Sequence, residues 1–137
     1  MNSSKPILLV EDDSVDIMTV RRCFKQLKIH NELWVAENGE EAIKLLNSSA
    51  ETGPCIMLLD INMPKMNGLE FLGQIKSMPH FKKIPVIVLS SSEEESDIDY
   101  CFTLGVAGYI IKPVEYKEFV ASIEVLNAYW SCSELPE

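Results

Sequence analysis

The chain has 137 residues, 47% of them hydrophobic, and a formal net charge of -9. This length fits one domain, and the hydrophobic fraction is high enough for a buried core, which excludes a largely disordered chain. The negative charge argues against nucleic acid as a direct partner, because that binding depends on Lys and Arg at the phosphates. We therefore expect a single domain over residues 1–137, with a core from about 6 to 130, short tails at both ends and a protein as its partner.

The cysteines and the amino terminus bear on the cellular compartment. Cys23, Cys55, Cys101 and Cys132 lack the spacing of a zinc site or a redox pair, so we interpret them as reduced thiols. The segment from Met1 to Pro6 lacks the apolar stretch of a signal peptide, and no apolar run approaches the roughly 20 residues that span a bilayer. These features predict a cytoplasmic protein without membrane contact.

Five short apolar runs have the length and composition of β-strands. The run from Cys55 to Leu59 does not alternate with polar residues, which is typical of a central strand covered on both faces. The predicted strands are Ile7 to Val10, Leu33 to Ala36, Cys55 to Leu59, Val86 to Leu89 and Gly108 to Ile111.

A helical pattern follows each predicted strand. The first helix is expected to begin at a Ser14 cap, with Ile17, Val20, Phe24 and Leu27 on one face. The later helices are predicted at Glu40 to Leu46, at about Leu69 to Lys76, from a Ser92 cap to Gly105, and at Tyr116 to about Trp130.

The alternation of strand and helix predicts an α/β fold with a doubly wound, parallel, five-stranded sheet and five helices. The expected strand order is 2-1-3-4-5, the flavodoxin-like order. In this order strands 1 and 3 are neighbours, so Asp12 and Asp60 should lie together where the strands end.

Polar residues with complementary chemistry follow four of the strands: Glu11 and Asp12, Asp60, Ser90, and Lys112. Clustered carboxylates repel one another unless they bind a proton or a cation, and Mg²⁺ prefers such oxygen ligands. An aspartate can also act as a nucleophile through an aspartyl phosphate, which makes Asp60 the candidate acceptor of a phosphoryl group. In that site Ser90 would donate a hydrogen bond to the phosphoryl group and Lys112 would neutralise its charge.

Each of these residues also has a simpler interpretation. Glu11, Asp12 and Asp13 fit a solvated turn that opens a helix, and Asp60 fits an acid in solvent past the end of its strand. The segment Ser90 to Ser92 fits a capping turn, and Lys112 taken alone fits an ordinary exposed lysine. Pro113 leaves open whether the preceding peptide bond is cis. Residues suited to phosphoryl chemistry stand at the ends of four predicted strands, and this combination favours the functional interpretation.

These motifs resemble the receiver domain of two-component response regulators. The resemblance is carried by the segments Leu8 to Asp13, Leu58 to Pro64 with Asn67 and Gly68, Pro85 to Ser90, and Gly108 to Pro113. It implies that Asp60 accepts a phosphoryl group from a sensor histidine kinase in a Mg²⁺-dependent reaction. It also implies the following roles: Glu11 and Asp12 as the acidic pair, the Asn62 backbone carbonyl as a further Mg²⁺ ligand, Ser90 as the switch hydroxyl, Tyr109 as the aromatic switch, and Lys112 as the phosphate contact.

A finer resemblance is to the small regulators that partner bacteriophytochrome kinases. It depends on Glu11 and Asp12 with Asp16, on the strand end at Asp60, and on the aromatic pair Tyr129 and Trp130. It implies a stand-alone signalling domain rather than an enzyme with a separate substrate. Such a domain would act on a downstream protein, or as a homodimer, through the face formed by the fourth helix, fifth strand and fifth helix.

Two other functions fit part of the pattern. Asp60-Ile61-Asn62 partly matches the Asp-x-Asp motif of aspartyl-phosphate phosphatases, but Asn62 cannot serve as their general acid. A flavodoxin-like FMN carrier would need a phosphate-binding loop after the first strand, where Glu11, Asp12 and Asp13 would repel the phosphate.

Overall fold

The computed structural model describes residues 5–48, 53–62 and 67–135, in which five strands alternate with five helices. The strands are β1 Ile7–Val10, β2 Leu33–Ala36, β3 Ile56–Leu59, β4 Val86–Ser90 and β5 Gly108–Ile111. The helices are α1 Ser14–Gln26, α2 Gly39–Ser48, α3 Gly68–Lys76, α4 Glu95–Thr103 and α5 Tyr116–Cys132. Met63 and Pro64, which belong to the segment Leu58 to Pro64 that carries the resemblance, lie outside the described residues.

The sheet is parallel throughout, with strand order β2-β1-β3-β4-β5, so the predicted fold class and topology are confirmed. Val10 pairs with Leu59, which brings β1 and β3 to an end at the same level. Ser90 pairs with Ile111, so β4 and β5 also end together. Ser90 was expected to follow β4 but is its last residue. The polar residues at the ends of these strands are therefore brought to one edge of the sheet.

Alternate side chains of the strands point into two separate hydrophobic layers. Leu8 and Val10 of β1 belong to the layer covered by α2, α3 and α4. Ile7 and Leu9 belong to the layer covered by α1 and α5. This two-sided burial explains why β1, β3 and β4 are fully buried and nearly continuous in apolar sequence.

Two predicted helix caps are wrong. The N-cap of α1 is Asp13 rather than Ser14, because the Asp13 side chain accepts from the backbone N–H groups of Val15 and Asp16. The N-cap of α4 is Glu94, which makes no side-chain capping bond, rather than Ser92. Gly105 does end α4 as predicted, with a left-handed φ of 86°.

The last helix ends later than predicted, and its terminal tryptophan is buried. α5 continues past Trp130 to Cys132, and Trp130 is buried in the layer between α5 and α1. The four cysteines, which all lie in the described residues, form no disulfide bond with one another. Within the described part of the chain, no helix has both the length and the apolar character needed to cross a membrane.

Candidate functional site

Three carboxylates meet at the carboxyl ends of β1 and β3. One oxygen from each of Glu11, Asp12 and Asp60 lies within 4.8 Å of the other two. Glu11 and Asp60 are only 2% and 6% exposed, whereas Asp12 is exposed. The register of the two strands produces this cluster, because their last residues, Val10 and Leu59, are paired.

Lys112 extends from the end of β5 into the same cluster. Its Nζ lies 2.6 Å from Glu11 Oε1, 2.8 Å from Asp16 Oδ2 and 3.6 Å from Asp60 Oδ2. Burial lowers the pKa of Lys112, but its bonds to Asp16 and Glu11 and the charge of Asp60 outweigh burial and raise it above the usual range. Lys112 is therefore a permanent cation beside three carboxyl groups, and the peptide bond to Pro113 is trans.

This environment changes the pKa of Glu11. Burial raises the pKa of Glu11 from 4.5 to about 7, Lys112 opposes the rise, and Asp60 adds to it. The carboxylate form of Glu11 is therefore disfavoured when Lys112 is the only nearby cation. A second cation at the cluster would restore the ionised form.

The donor set fits a small divalent cation. Carboxylate oxygens are the ligands that Mg²⁺ and Mn²⁺ prefer, and three of them converge here from two adjacent strand ends. Asn62 is exposed and lies beside this cluster, with its backbone N–H donating to Asp60 Oδ1 at 3.1 Å. The Asn62 carbonyl as a further ligand stays a prediction.

Ser90 and Tyr109 are connected through one residue of the loop between β4 and α4. The fully buried Ser90 accepts a hydrogen bond at Oγ from the backbone N–H of Ser92, at 3.0 Å. The Tyr109 hydroxyl donates to the carbonyl oxygen of Ser92 at 2.9 Å. Ser92 Oγ in turn donates to Asp97 Oδ2 in the first turn of α4, at 2.6 Å. A displacement at Ser90 can therefore be passed to both Tyr109 and α4.

Gly68 fixes the position of the Asp60 backbone. Its N–H donates to the Ile61 carbonyl at 3.2 Å, and Asn67 caps the helix that Gly68 begins. A β-carbon at Gly68 would overlap the Asp60 carbonyl and the Ile61 Cα. The start of α3 can approach the site this closely because the residue there has no side chain.

The structure thus brings together Glu11, Asp12, Asp60 and Lys112, and it places Ser90 at the adjacent strand end. Sequence reasoning gave no role to Asp16 or to the Ser92 backbone. The only sequence signal for Asp16 was an acidic residue in the first turn of α1, close in sequence to Glu11 and Asp12. No sequence pattern marks the Ser92 carbonyl, since a backbone acceptor exists at every residue.

Comparisons with known proteins agree with this geometry. Residues 7–124 match the response regulator receiver domain family. Response regulator Rcp1 from Synechocystis sp. is 35% identical over 133 residues, which covers 94% of this chain and 90% of Rcp1. The match therefore includes nearly the full length of both proteins.

Solved structures give the same relationship. The phosphorylated cyanobacterial phytochrome response regulator RcpA has a TM-score of 0.90 and 34% identity, covering 98% of this chain and 100% of RcpA. The Mn²⁺-bound form of Rcp1 has a TM-score of 0.87 and 34% identity, covering 97% and 99%. The bacteriophytochrome response regulator RtBRR has 42% identity and a TM-score of 0.76, covering 96% and 84%. Together with the family match and the shared sheet order, these similarities show that the chain is a member of the response regulator receiver domain family.

Proposed function

We propose that this chain accepts a phosphoryl group on Asp60 from the phosphohistidine of a sensor histidine kinase, and then signals as a stand-alone receiver through protein contacts. In this role it is a signalling domain and not an enzyme with a separate substrate. The observation that carries the proposal is the position of Asp60, a nearly buried carboxylate between two other acids and the Lys112 cation.

The transfer needs a nucleophile and positive charge at the phosphoryl oxygens. An Asp60 carboxylate oxygen would form the new bond to phosphorus while the phosphorus–nitrogen bond of the donor breaks and its electron pair leaves with the imidazole. Lys112 would bind a phosphoryl oxygen, and the Ser90 hydroxyl would donate to another. Bound Mg²⁺, held by Glu11, Asp12 and Asp60, would neutralise charge on the transferring group.

Exposed apolar residues beside the site suggest where the phosphoryl donor docks. Val15 and Met18 on α1 are 67% and 69% exposed, and Val114 after β5 is fully exposed. Val15 and Val114 also line a cavity of about 190 Å³ that reaches Glu11 and Lys112. A kinase that covered these side chains would bring its phosphohistidine beside Glu11 and Lys112, which neighbour Asp60. The names of RcpA and RtBRR favour a phytochrome-type kinase as this partner.

A second set of exposed apolar residues suits a downstream protein or a homodimer. These residues are carried by the three elements of the proposed output face, α4, β5 and α5: Phe102, Ile111, Val125 and Tyr129. The link from Ser90 through Ser92 to Tyr109 and α4 leads from the site toward this face. Phosphorylation would change partner affinity here only as far as the partner distinguishes the two conformations.

The assignment of Asp60 is tested by intact mass after incubation with acetyl phosphate and Mg²⁺. The wild type should gain the mass of one phosphoryl group, and Asp60→Asn should gain none, because the amide keeps the shape but is not a nucleophile. Asp13→Asn is the control, since asparagine keeps the helix cap and removes the same charge. Undiminished acid-labile phosphate in Asp60→Asn would refute the assignment.

A further inference from the structure

The Lys112 ammonium is shared among carboxylates from different elements. Glu11 follows β1 and Asp60 follows β3, and both belong to the acidic cluster. Asp16 lies in the first turn of α1, outside that cluster, yet its Oδ2 is 2.8 Å from Lys112 Nζ. The distance from Lys112 Nζ to Asp60 Oδ2 is longer, at 3.6 Å. In this arrangement Lys112 is bonded to Asp16 and is beyond hydrogen-bond distance of the candidate phosphoacceptor.

Asp16 is held in place by the start of its helix. The Asp13 cap accepts a hydrogen bond from the Asp16 backbone N–H at 3.2 Å, which orders the first turn of α1. Asp16 is also the most accessible partner of Lys112, with its side chain 39% exposed against 3% for Glu11. An ion pair that water reaches is weaker than a buried one, so Lys112 can break its bond to Asp16 more easily than its bond to Glu11.

We propose that Asp16 is a positioning residue that competes with the phosphoryl group on Asp60 for Lys112. This inference rests on the proposed function, in which Lys112 binds a phosphoryl oxygen. A phosphoryl oxygen on Asp60 would accept a charge-assisted hydrogen bond from the Lys112 ammonium, to which Asp16 Oδ2 is already bonded at 2.8 Å. The negative charge of Asp16 also offsets part of the field that Lys112 exerts on an anion at Asp60.

The competition predicts how strongly a phosphoryl mimic binds. At saturating Mg²⁺, Asp16→Asn should lower the dissociation constant of beryllofluoride by roughly two- to fivefold, the range expected for a partly exposed ion pair. Asp13→Asn removes the same charge three residues away, keeps the helix cap, and should change the constant by less than half as much. Mg²⁺ affinity measured without beryllofluoride should not increase in Asp16→Asn, because a carboxylate near the cation has been lost.

The outcomes separate the two hypotheses. If wild-type protein with Mg²⁺ does not bind beryllofluoride, the proposed function fails and this inference fails with it. If the wild type binds the mimic and Asp16→Asn binds it equally or more weakly, only the role of Asp16 is refuted. An equal gain in Asp13→Asn would also refute it, since the effect would then be a general change of charge. Circular dichroism should show both variants folded.

Discussion

The Tyr109 hydroxyl is bonded at 2.9 Å to the carbonyl oxygen of Ser92, the residue whose N–H is bonded to Ser90 Oγ. One peptide segment is therefore held by the proposed phosphate contact and by the aromatic side chain of β5. A bond donated by the Ser90 hydroxyl to a phosphoryl group would fix the position of Oγ, the atom that also accepts from the Ser92 N–H. We therefore expect phosphorylation to change how the loop between β4 and α4 is held.

Tyr109→Phe should loosen this loop without preventing phosphorylation. The substitution removes one hydrogen bond, worth about 1 kcal/mol, and keeps the ring. We expect amide exchange of Ser92 and the first turn of α4 to become about fivefold faster, measured by mass spectrometry. Tyr129→Phe on the exposed part of α5 is the control. Unchanged exchange in Tyr109→Phe would show that the hydroxyl does not restrain the loop.

Asp12→Asn should weaken Mg²⁺ binding by about tenfold or more, because it removes one of three converging carboxylates. An NMR titration of backbone amides would measure the affinity. Asp13→Asn is a matched control, since Asp13 caps α1 and is not a member of the carboxylate cluster. Equal affinities in Asp12→Asn and wild type would exclude Asp12 as a ligand.

The affinity for Mg²⁺ should rise as the pH increases through about 7, where Glu11 loses its proton. Burial raises this pKa above the 4.5 of an ordinary glutamate, so the stability that the bound proton contributes is fully present below 4.5 and is lost as the pH rises through 7. The metal-free protein should therefore lose stability over this range, while Lys112 stays charged throughout it.

Mg²⁺ titrations and thermal unfolding on either side of pH 7 would test this dependence on Glu11. In Glu11→Gln the Mg²⁺ affinity and the stability of the metal-free protein should both depend less on pH. Glu118→Gln, at an exposed position of α5, should leave both pH dependences unchanged. A pH dependence that persists fully in Glu11→Gln would assign it to another group.

Gly68→Ala should destabilise the domain by about 1 to 3 kcal/mol, because the added methyl group meets the backbone of Asp60 and Ile61. Urea denaturation would measure the loss. Gly73→Ala is the control in the same helix: its β-carbon would meet only the Tyr100 hydroxyl at 3.8 Å, and alanine favours the helix. If the two variants were equally stable, the close approach at Gly68 would not constrain the site.

Tyr129→Ala should weaken association that depends on phosphorylation, because Tyr129 is 57% exposed on α5. Analytical ultracentrifugation with and without beryllofluoride would detect a homodimer, and binding to the downstream protein would be compared in the same way. Trp130→Ala is unsuitable as a surface test, since Trp130 is buried and its loss should cost about 3 to 5 kcal/mol. If association were the same with and without beryllofluoride, and the same in Tyr129→Ala as in wild type, the proposed output face would be wrong.

The sequence by itself determined the alternation of strands and helices and their approximate bounds, because apolar runs and helical periodicity are local signals. Asp60 was identifiable for the same reason, as an acid that directly follows a fully apolar strand. The strand order was expected from the common pattern of doubly wound sheets and not from a local signal. Helix starts were less predictable: Asp13 and Ser14 are both good caps, and the choice depended on which side chain could reach the free N–H groups. Trp130 was ambiguous as well, since a terminal aromatic residue suits a core or a surface.

Tertiary structure alone decided how the polar residues share their partners. Lys112 is 96 residues from Asp16, and no local pattern relates them. They meet because the start of α1 and the end of β5 both lie where the parallel strands have their carboxyl ends. The same is true of Tyr109 and the Ser92 carbonyl, and of Gly68 against the Asp60 backbone. Sequence periodicity fixes which way a side chain points within its own element, but distances between elements depend on packing. Packing therefore decides how close Glu11, Asp16 and Asp60 lie to Lys112.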